Sequence, residues 1–128
     1  MIVGIGVDIV EIHRVEALLA AKGQRALDRL FTRAEREYAE GMAHPPRHLA
    51  ARVAAKEAAF KALSGNEEAR GIGWREMEVV LDAAGRPKLV LHGRARARAD
   101  ELHVTRAWVS LSHANDIATA FVVLESSP

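Results

Sequence analysis

The chain has no cysteine among its 128 residues, which excludes a disulfide framework, a thiolate metal site and a cysteine nucleophile. Any metal it holds takes oxygen or imidazole ligands. No apolar run approaches the roughly 20 residues of a membrane span, and no basic leader separates Met1 from the strand-like segment after it. The expectation is a protein without membrane association, working in the cytoplasm. A large excess of one charge is also missing. The net charge of +1 argues against a dedicated nucleic-acid binder, so basic surface must be local. Fourteen of the eighteen basic residues are arginine, and local patches of arginine suit a phosphate-bearing ligand or an acidic protein. There is no internal repeat, low-complexity segment or linker. With 49% apolar residues, the length suffices for one core and not for two, so one domain spanning 1–128 is expected.

Two motifs are absent as well. There is no G-x-x-x-x-G-K-[ST], and Gly4-Ile-Gly6 and Gly71-Ile-Gly73 are too short for a dinucleotide fingerprint, so neither a P-loop nor a Rossmann domain is supported. No nucleophile elbow occurs. Ser110 and Ser112 alternate with Val109 and Leu111 along a strand, which speaks against a serine triad.

What is present reads as α+β. Residues 2–12 are β-branched and apolar almost throughout, predicting a strand buried on both faces. Asp8 interrupts it. Period 2 puts Asp8 on one face with Gly4 and Gly6, where the missing side chains leave room for a ligand or for a packed neighbour. Short helices over 14–21 and 25–30 break around Gly23, and Thr32-Arg-Ala-Glu35 is a capping-box start for a helix to about residue 40. A long helix over 46–63 ends near Gly65. A loop over 66–73 precedes a hairpin of strands 77–81 and 88–91, an arginine-rich helix over 93–102, and strands over 107–112 and 117–124. The architecture expected is an antiparallel β-sheet packed against the long central helix.

The long helix carries its charges oddly. At about 100° per residue, Leu49, Val53, Phe60 and Leu63 share one side, Lys56 falls inside that stripe, and Glu57 and Lys61 lie on its flank. One reading is an ordinary i,i+4 pair with Lys56 snorkelling to water. The other is an anion and metal site at a crevice. Asp8 and Glu57 are the two acids hardest to explain as solvated surface. They can share a proton, pair with separate arginines, or bind a hard cation such as magnesium, which accepts one or two carboxylates and completes its shell with water and phosphate oxygens. His113, closing a strand, can donate to phosphate, act as acid or base, or cap the turn. Trp74 is a core or interface aromatic or a surface for a ligand. Arg14, with Arg25 and Arg29, forms a basic front that is either a solvated face or a dock for an acidic partner.

The segments Gly4-Ile-Gly-Val-Asp8-Ile-Val-Glu-Ile, Phe31-Thr-Arg-Ala-Glu35, Ala50-Ala-Arg52-Val-Ala-Ala-Lys56-Glu57-Ala, Trp74 before Met77-Glu-Val, Val109-Ser-Leu-Ser112-His113 and Ala118-Thr-Ala-Phe-Val-Val-Leu-Glu125 are specific in their order and spacing. Across nearly the whole length the chain resembles the holo-acyl carrier protein synthases, the short bacterial type of 4'-phosphopantetheinyl transferase. The resemblance implies that fold and transfer of the phosphopantetheine arm from coenzyme A to a serine of apo-acyl carrier protein, with release of adenosine 3',5'-bisphosphate, in support of fatty acid biosynthesis. It implies magnesium held by Asp8 and Glu57, with Glu57 or a water it orients as the base toward the carrier serine. Lys61 and Lys56 would neutralise phosphate charge, Arg52 and His113 would lie near the nucleotide end of coenzyme A, and Arg14 would dock the carrier. A homotrimer with sites at subunit boundaries is also implied. The chain departs from the family pattern after Leu63, where a Gly-Thr-Gly loop is common. Here Ser64-Gly65-Asn66-Glu67-Glu68-Ala69-Arg70 stands instead, and only Gly65 preserves a backbone free to approach phosphate. Ile117 stands where many relatives carry an aromatic residue. Two rival readings are a metal-dependent pyrophosphatase and a noncatalytic nucleotide-binding scaffold.

Overall fold

Strand β1, Ile2–Glu11, passes without a loop into helix α1, Ile12–Lys22, followed by α2, Gln24–Leu30, α3, Arg33–Glu40, and the long α4, Pro45–Leu63. The structure, a computed structural model, describes residues 1–128. Single 3-10 turns at Glu68–Gly71 and Trp74–Glu76 lead into the hairpin β2, Met77–Leu81, and β3, Pro87–Leu91; helix α5, Gly93–Glu101, and strands β4, Val104–His113, and β5, Ile117–Ser126, complete the chain. The α+β expectation holds, with one refinement: the antiparallel strands form two sheets, β1-β5-β4 and β2-β3. In the register of the larger sheet Asp8 faces Ala120, which faces Leu111, while Val10 faces Ala118, which faces His113.

Two sequence expectations need correction. Strand β1 is not buried on both faces: it is a sheet edge, and Ile5 and Ile9 are 57% and 64% exposed. The pattern misled because apolar side chains occupy both faces, yet only one meets α4. On the outer face, Ile5, Val7 and Ile9 continue through Phe121 and Val123 to Trp108, an apolar surface that this chain leaves open.

The second correction concerns α4. Leu49 and Leu63 of the expected stripe are buried, but alanines, Ala54, Ala55, Ala58, Ala59 and Ala62, make up most of the packed side, and Val53 and Phe60 are only half-buried. Close approach explains this. A Cβ on Gly6 would overlap the Ala58 carbonyl oxygen, and one on Gly4 the Ala62 carbonyl oxygen. The gap left by the two glycines is therefore filled by helix backbone, and no room for a ligand remains there.

Helix α3 begins as its capping box predicts. Thr32 Oγ1 accepts from Glu35 N at 3.3 Å, and Glu35 Oε1 accepts from Thr32 N at 2.9 Å. Glu35 then does more than cap. Its Oε2 accepts from Val79 N at 2.8 Å, joining α3 to β2.

Candidate functional site

The alternation of β1 aims Asp8 along the face that carries α4, and the helical period brings Glu57 and Lys61 to the same border. Lys61 Nζ stands 3.2 Å from Asp8 Oδ1 and donates to the Val7 carbonyl oxygen at 3.0 Å. Burial raises the Glu57 carboxyl above the ordinary glutamate range, the nearby Asp8 charge raises it further, and Lys61 pulls the other way. Asp8 is thus paired with a partly exposed lysine, while Glu57 makes no ion pair and feels both charges. Asp8 and Glu57 present oxygen donors at an open groove, a donor type that could hold a hard divalent cation together with water and phosphate oxygens.

The groove extends both ways from Glu57. On one side a cavity of about 530 Å³ lies between Asp8 and Glu57 and is bordered by Arg14, Leu18, Val53 and Trp74. Arg14 is exposed at its rim, while Arg25 and Arg29 lie exposed on the next helix. On the other side Glu57 and Trp74 also border a smaller cavity of about 210 Å³, walled by Phe60, Ile72 and Met77. Phe60 and Arg70 connect that space to a third cavity of about 540 Å³ beside Gly65 and Asn66. Trp74, half-buried, therefore has one face on the groove. The result is a trough with carboxylates at its centre, a basic rim at one end and an apolar channel toward the loop over 64–71.

Lys56 departs from expectation. Its side chain is 0% exposed, and Nζ is 2.8 Å from Glu35 Oε1 while donating to the carbonyl oxygens of Trp74 at 3.0 Å and Met77 at 2.7 Å. An ammonium has three donors, and all three are engaged, so Lys56 neither snorkels nor has a proton left for a phosphate oxygen. Burial lowers its pKa, opposed by Glu35. The residue fastens the Trp74 wall of the groove to α4.

Arg52 and His113 do not border this groove. Arg52 is buried, its guanidinium 4.4 Å above the Tyr38 ring, with Nη1 donating to the His48 carbonyl oxygen at 3.3 Å and Nε without a partner. The His113 ring lies 6.2 Å from that of His48. In the sheet, His113 is two strands across from Val10, a separation of about 10 Å at the usual strand spacing. Burial lowers the His48 pKa, and Arg52 and His113 lower it further. These residues form a second, basic cluster.

Other residues at the site were not legible as such. Glu35 reads in sequence as a helix cap, and nothing in its spacing announces the pairing with Lys56. The arginines of α5 turn out to hold the loop. Arg98 donates from Nε to the Leu63 carbonyl oxygen at 2.8 Å and from Nη2 to that of Ser64 at 3.1 Å, and Arg94 Nη1 donates to that of Gly71 at 2.9 Å. Gly65 sits at φ +130°, where a Cβ would meet Arg98 Nη2 at 2.9 Å, so glycine there is required by backbone and neighbour together.

Residues 4–122 match the family model of the 4'-phosphopantetheinyl transferase superfamily. The chain is 51% identical over 128 residues to the holo-[acyl-carrier-protein] synthase of Alkalilimnicola ehrlichii, covering 99% of each chain. Among solved structures it is similar to the holo-[acyl-carrier-protein] synthase of Neisseria meningitidis, with a TM-score of 0.86 and 32% identity over 98% of this chain and 100% of that one. It is also similar to a Bacillus anthracis holo-(acyl-carrier-protein) synthase in complex with CoA (3',5'-ADP), with a TM-score of 0.79 and 35% identity over 99% of each chain.

Proposed function

Because the chain belongs to the 4'-phosphopantetheinyl transferase superfamily, we propose that the Asp8–Glu57 border of the groove is its catalytic centre and holds magnesium. The protein transfers the 4'-phosphopantetheine arm from coenzyme A to a serine of apo-acyl carrier protein and releases adenosine 3',5'-bisphosphate. The observation that carries the site assignment is the pair of carboxylates bordering one groove, with an exposed lysine paired to Asp8.

Magnesium, when bound, would cancel charge on the pyrophosphate of coenzyme A. Glu57, raised above the usual carboxylate range, is suited to take the proton of the carrier serine as its oxygen attacks the phosphorus next to pantetheine. The bond from that phosphorus to the bridging oxygen breaks, and the electron pair leaves with the nucleotide. Lys61 holds Asp8 in place and adds positive charge beside the leaving group. Arg14, exposed at the rim, offers its charge to the acidic carrier.

The working unit in this reading is a homotrimer. Two observations support it: the open apolar face from Ile5 to Trp108, and the basic Arg52–His113 cluster that does not border its own chain's groove. A neighbouring copy would bring that cluster to the nucleotide end of coenzyme A. The proposed setting is the cytoplasm, in support of fatty acid biosynthesis.

The test is intact-mass spectrometry of apo-acyl carrier protein incubated with this protein, coenzyme A and magnesium, beside a chelator control and a carrier lacking its serine. A mass gain of one phosphopantetheine arm, lost in both controls, is expected. Asp8→Ala and Glu57→Ala should remain folded and lose most of that gain. Full activity in either variant refutes the metal assignment; coenzyme A consumed without a mass gain favours hydrolysis.

A further inference from the structure

We infer that His92, which borders none of the groove's three cavities, is a positioning residue for the transfer, because it braces the turn that carries Trp74. The inference rests on the transferase reading above and deepens it.

Trp74 and Glu57 are the two residues that border both the Asp8 cavity and the Phe60 cavity, so the placement of the Trp74 ring bears on the space where the reacting groups are aligned. Its 3-10 turn, Trp74–Glu76, is gripped from two sides. From α4, Lys56 donates to the carbonyl oxygens of Trp74 and Met77. From the junction of β3 and α5, His92 N donates to the Glu76 carbonyl oxygen at 2.8 Å, and Arg94 N donates to Glu76 Oε1 at 3.2 Å.

Side chains join the two grips. His92 Nε2 lies 2.9 Å from Glu78 Oε1, and an ionised carboxylate only accepts, so the ring donates. Glu78 Oε2 accepts from Thr32 Oγ1 at 2.6 Å, and Thr32 N donates to Glu35 Oε1 at 2.9 Å. The same Glu35 oxygen stands 2.8 Å from Lys56 Nζ. The circuit therefore closes around the turn, linking α3, α4, β2 and the start of α5. Exposure falls along it, from 49% for the His92 side chain through 14% for Glu78 to 0% for Glu35 and Lys56. The links of such a network hold one another in a single arrangement. Removing the imidazole keeps the backbone bond to Glu76 but leaves Glu78 Oε1 without its partner. That carboxylate is then free to turn toward water and release Thr32, and the wall of the groove loosens without any contact to substrate being lost.

The test combines transfer kinetics with fluorine NMR of protein labelled with 5-fluorotryptophan, on the wild type, His92→Ala, His92→Gln, Glu78→Ala and the double variant His92→Ala/Glu78→Ala. The two tryptophans give one signal each, assigned with Trp108→Phe. His92→Ala should lower kcat about three- to tenfold and shift or broaden the Trp74 signal, leaving the Trp108 signal and the KM for the carrier unchanged. His92→Gln, whose amide can donate to Glu78, should recover most of the rate. The losses of the two alanine variants should not add, because both break one chain. Wild-type kcat and an unmoved Trp74 signal in His92→Ala, whatever its unfolding midpoint, overturn the inference. Losses that add in the double variant, or His92→Gln no better than His92→Ala, overturn the chain from the imidazole through Glu78. A wild-type protein without transfer, whose Trp74 signal still responds to His92→Ala, overturns the transferase reading and not the coupling.

Discussion

Replacing Lys56 by methionine separates a structural role from a phosphate-binding one. The substitution keeps most of the side-chain volume but removes the charge and three hydrogen bonds. It leaves the fully buried Glu35 carboxylate with only the Thr32 and Val79 amides, and the Trp74 and Met77 carbonyl oxygens lose their shared donor. Removing one partner of a buried ion pair costs about 3–5 kcal/mol. For 128 residues the unfolding entropy near the midpoint is roughly 270 cal/mol/K, so the midpoint should fall by about 11–19 °C. The double variant Glu35→Gln/Lys56→Met should recover a part of this, since no buried charge is left unpaired. The assay is thermal and urea unfolding at fixed protein concentration, with coenzyme A affinity measured on the folded fraction. A midpoint within about 3 °C of wild type, together with a large loss of coenzyme A affinity, would refute the argument and return Lys56 to the phosphate.

Gly6→Ala should be strongly destabilising, by more than about 2 kcal/mol, because its methyl group would overlap the backbone of α4 at Ala58; an unfolding curve like that of wild type would disprove the close approach. Glu78 provides an acid-sensitive contact. Burial works to raise its carboxyl, but hydrogen bonds from Thr32 at 2.6 Å and with His92 at 2.9 Å, together with the charges of His92 and Lys56, outweigh it and hold the pKa below the ordinary glutamate range. A depressed carboxyl stabilises the fold above its unfolded pKa and loses that contribution as pH falls through the folded one. Thr32→Val should therefore lower stability at neutral pH and flatten its decline below pH 4.5, which urea unfolding at a series of pH values would reveal; a parallel pair of curves would count against it. Arg14→Ala should weaken carrier binding at low salt by a few-fold and much less at high salt, because exposed charges are screened. Unchanged affinity at low salt would remove Arg14 from the docking surface.

The order of elements followed from local chemistry and was legible in the sequence. The Thr32–Glu35 capping box, the proline at the start of α4, the glycines that break helices and the period-2 strands act over a few residues, and each appears within a residue or a few of where its pattern placed it. That Asp8 and Glu57 border one groove was implied by the family resemblance, whereas the residues alone left open whether each acid pairs with a separate arginine. Tertiary structure alone decided which face of each element is covered. Apolar side chains on both sides of β1 say nothing about which side meets a helix, and it is the fit of Gly4 and Gly6 against the α4 backbone that settles it. The same holds for charge. The helical period separates Lys56, inside the apolar stripe, from Lys61 on its flank but names no partner for either; one meets Glu35 from a different element and is buried, while the other reaches Asp8 at the groove. An ion's role depends on partners 21 and 53 residues away, and such distances are set by packing and not by any local pattern.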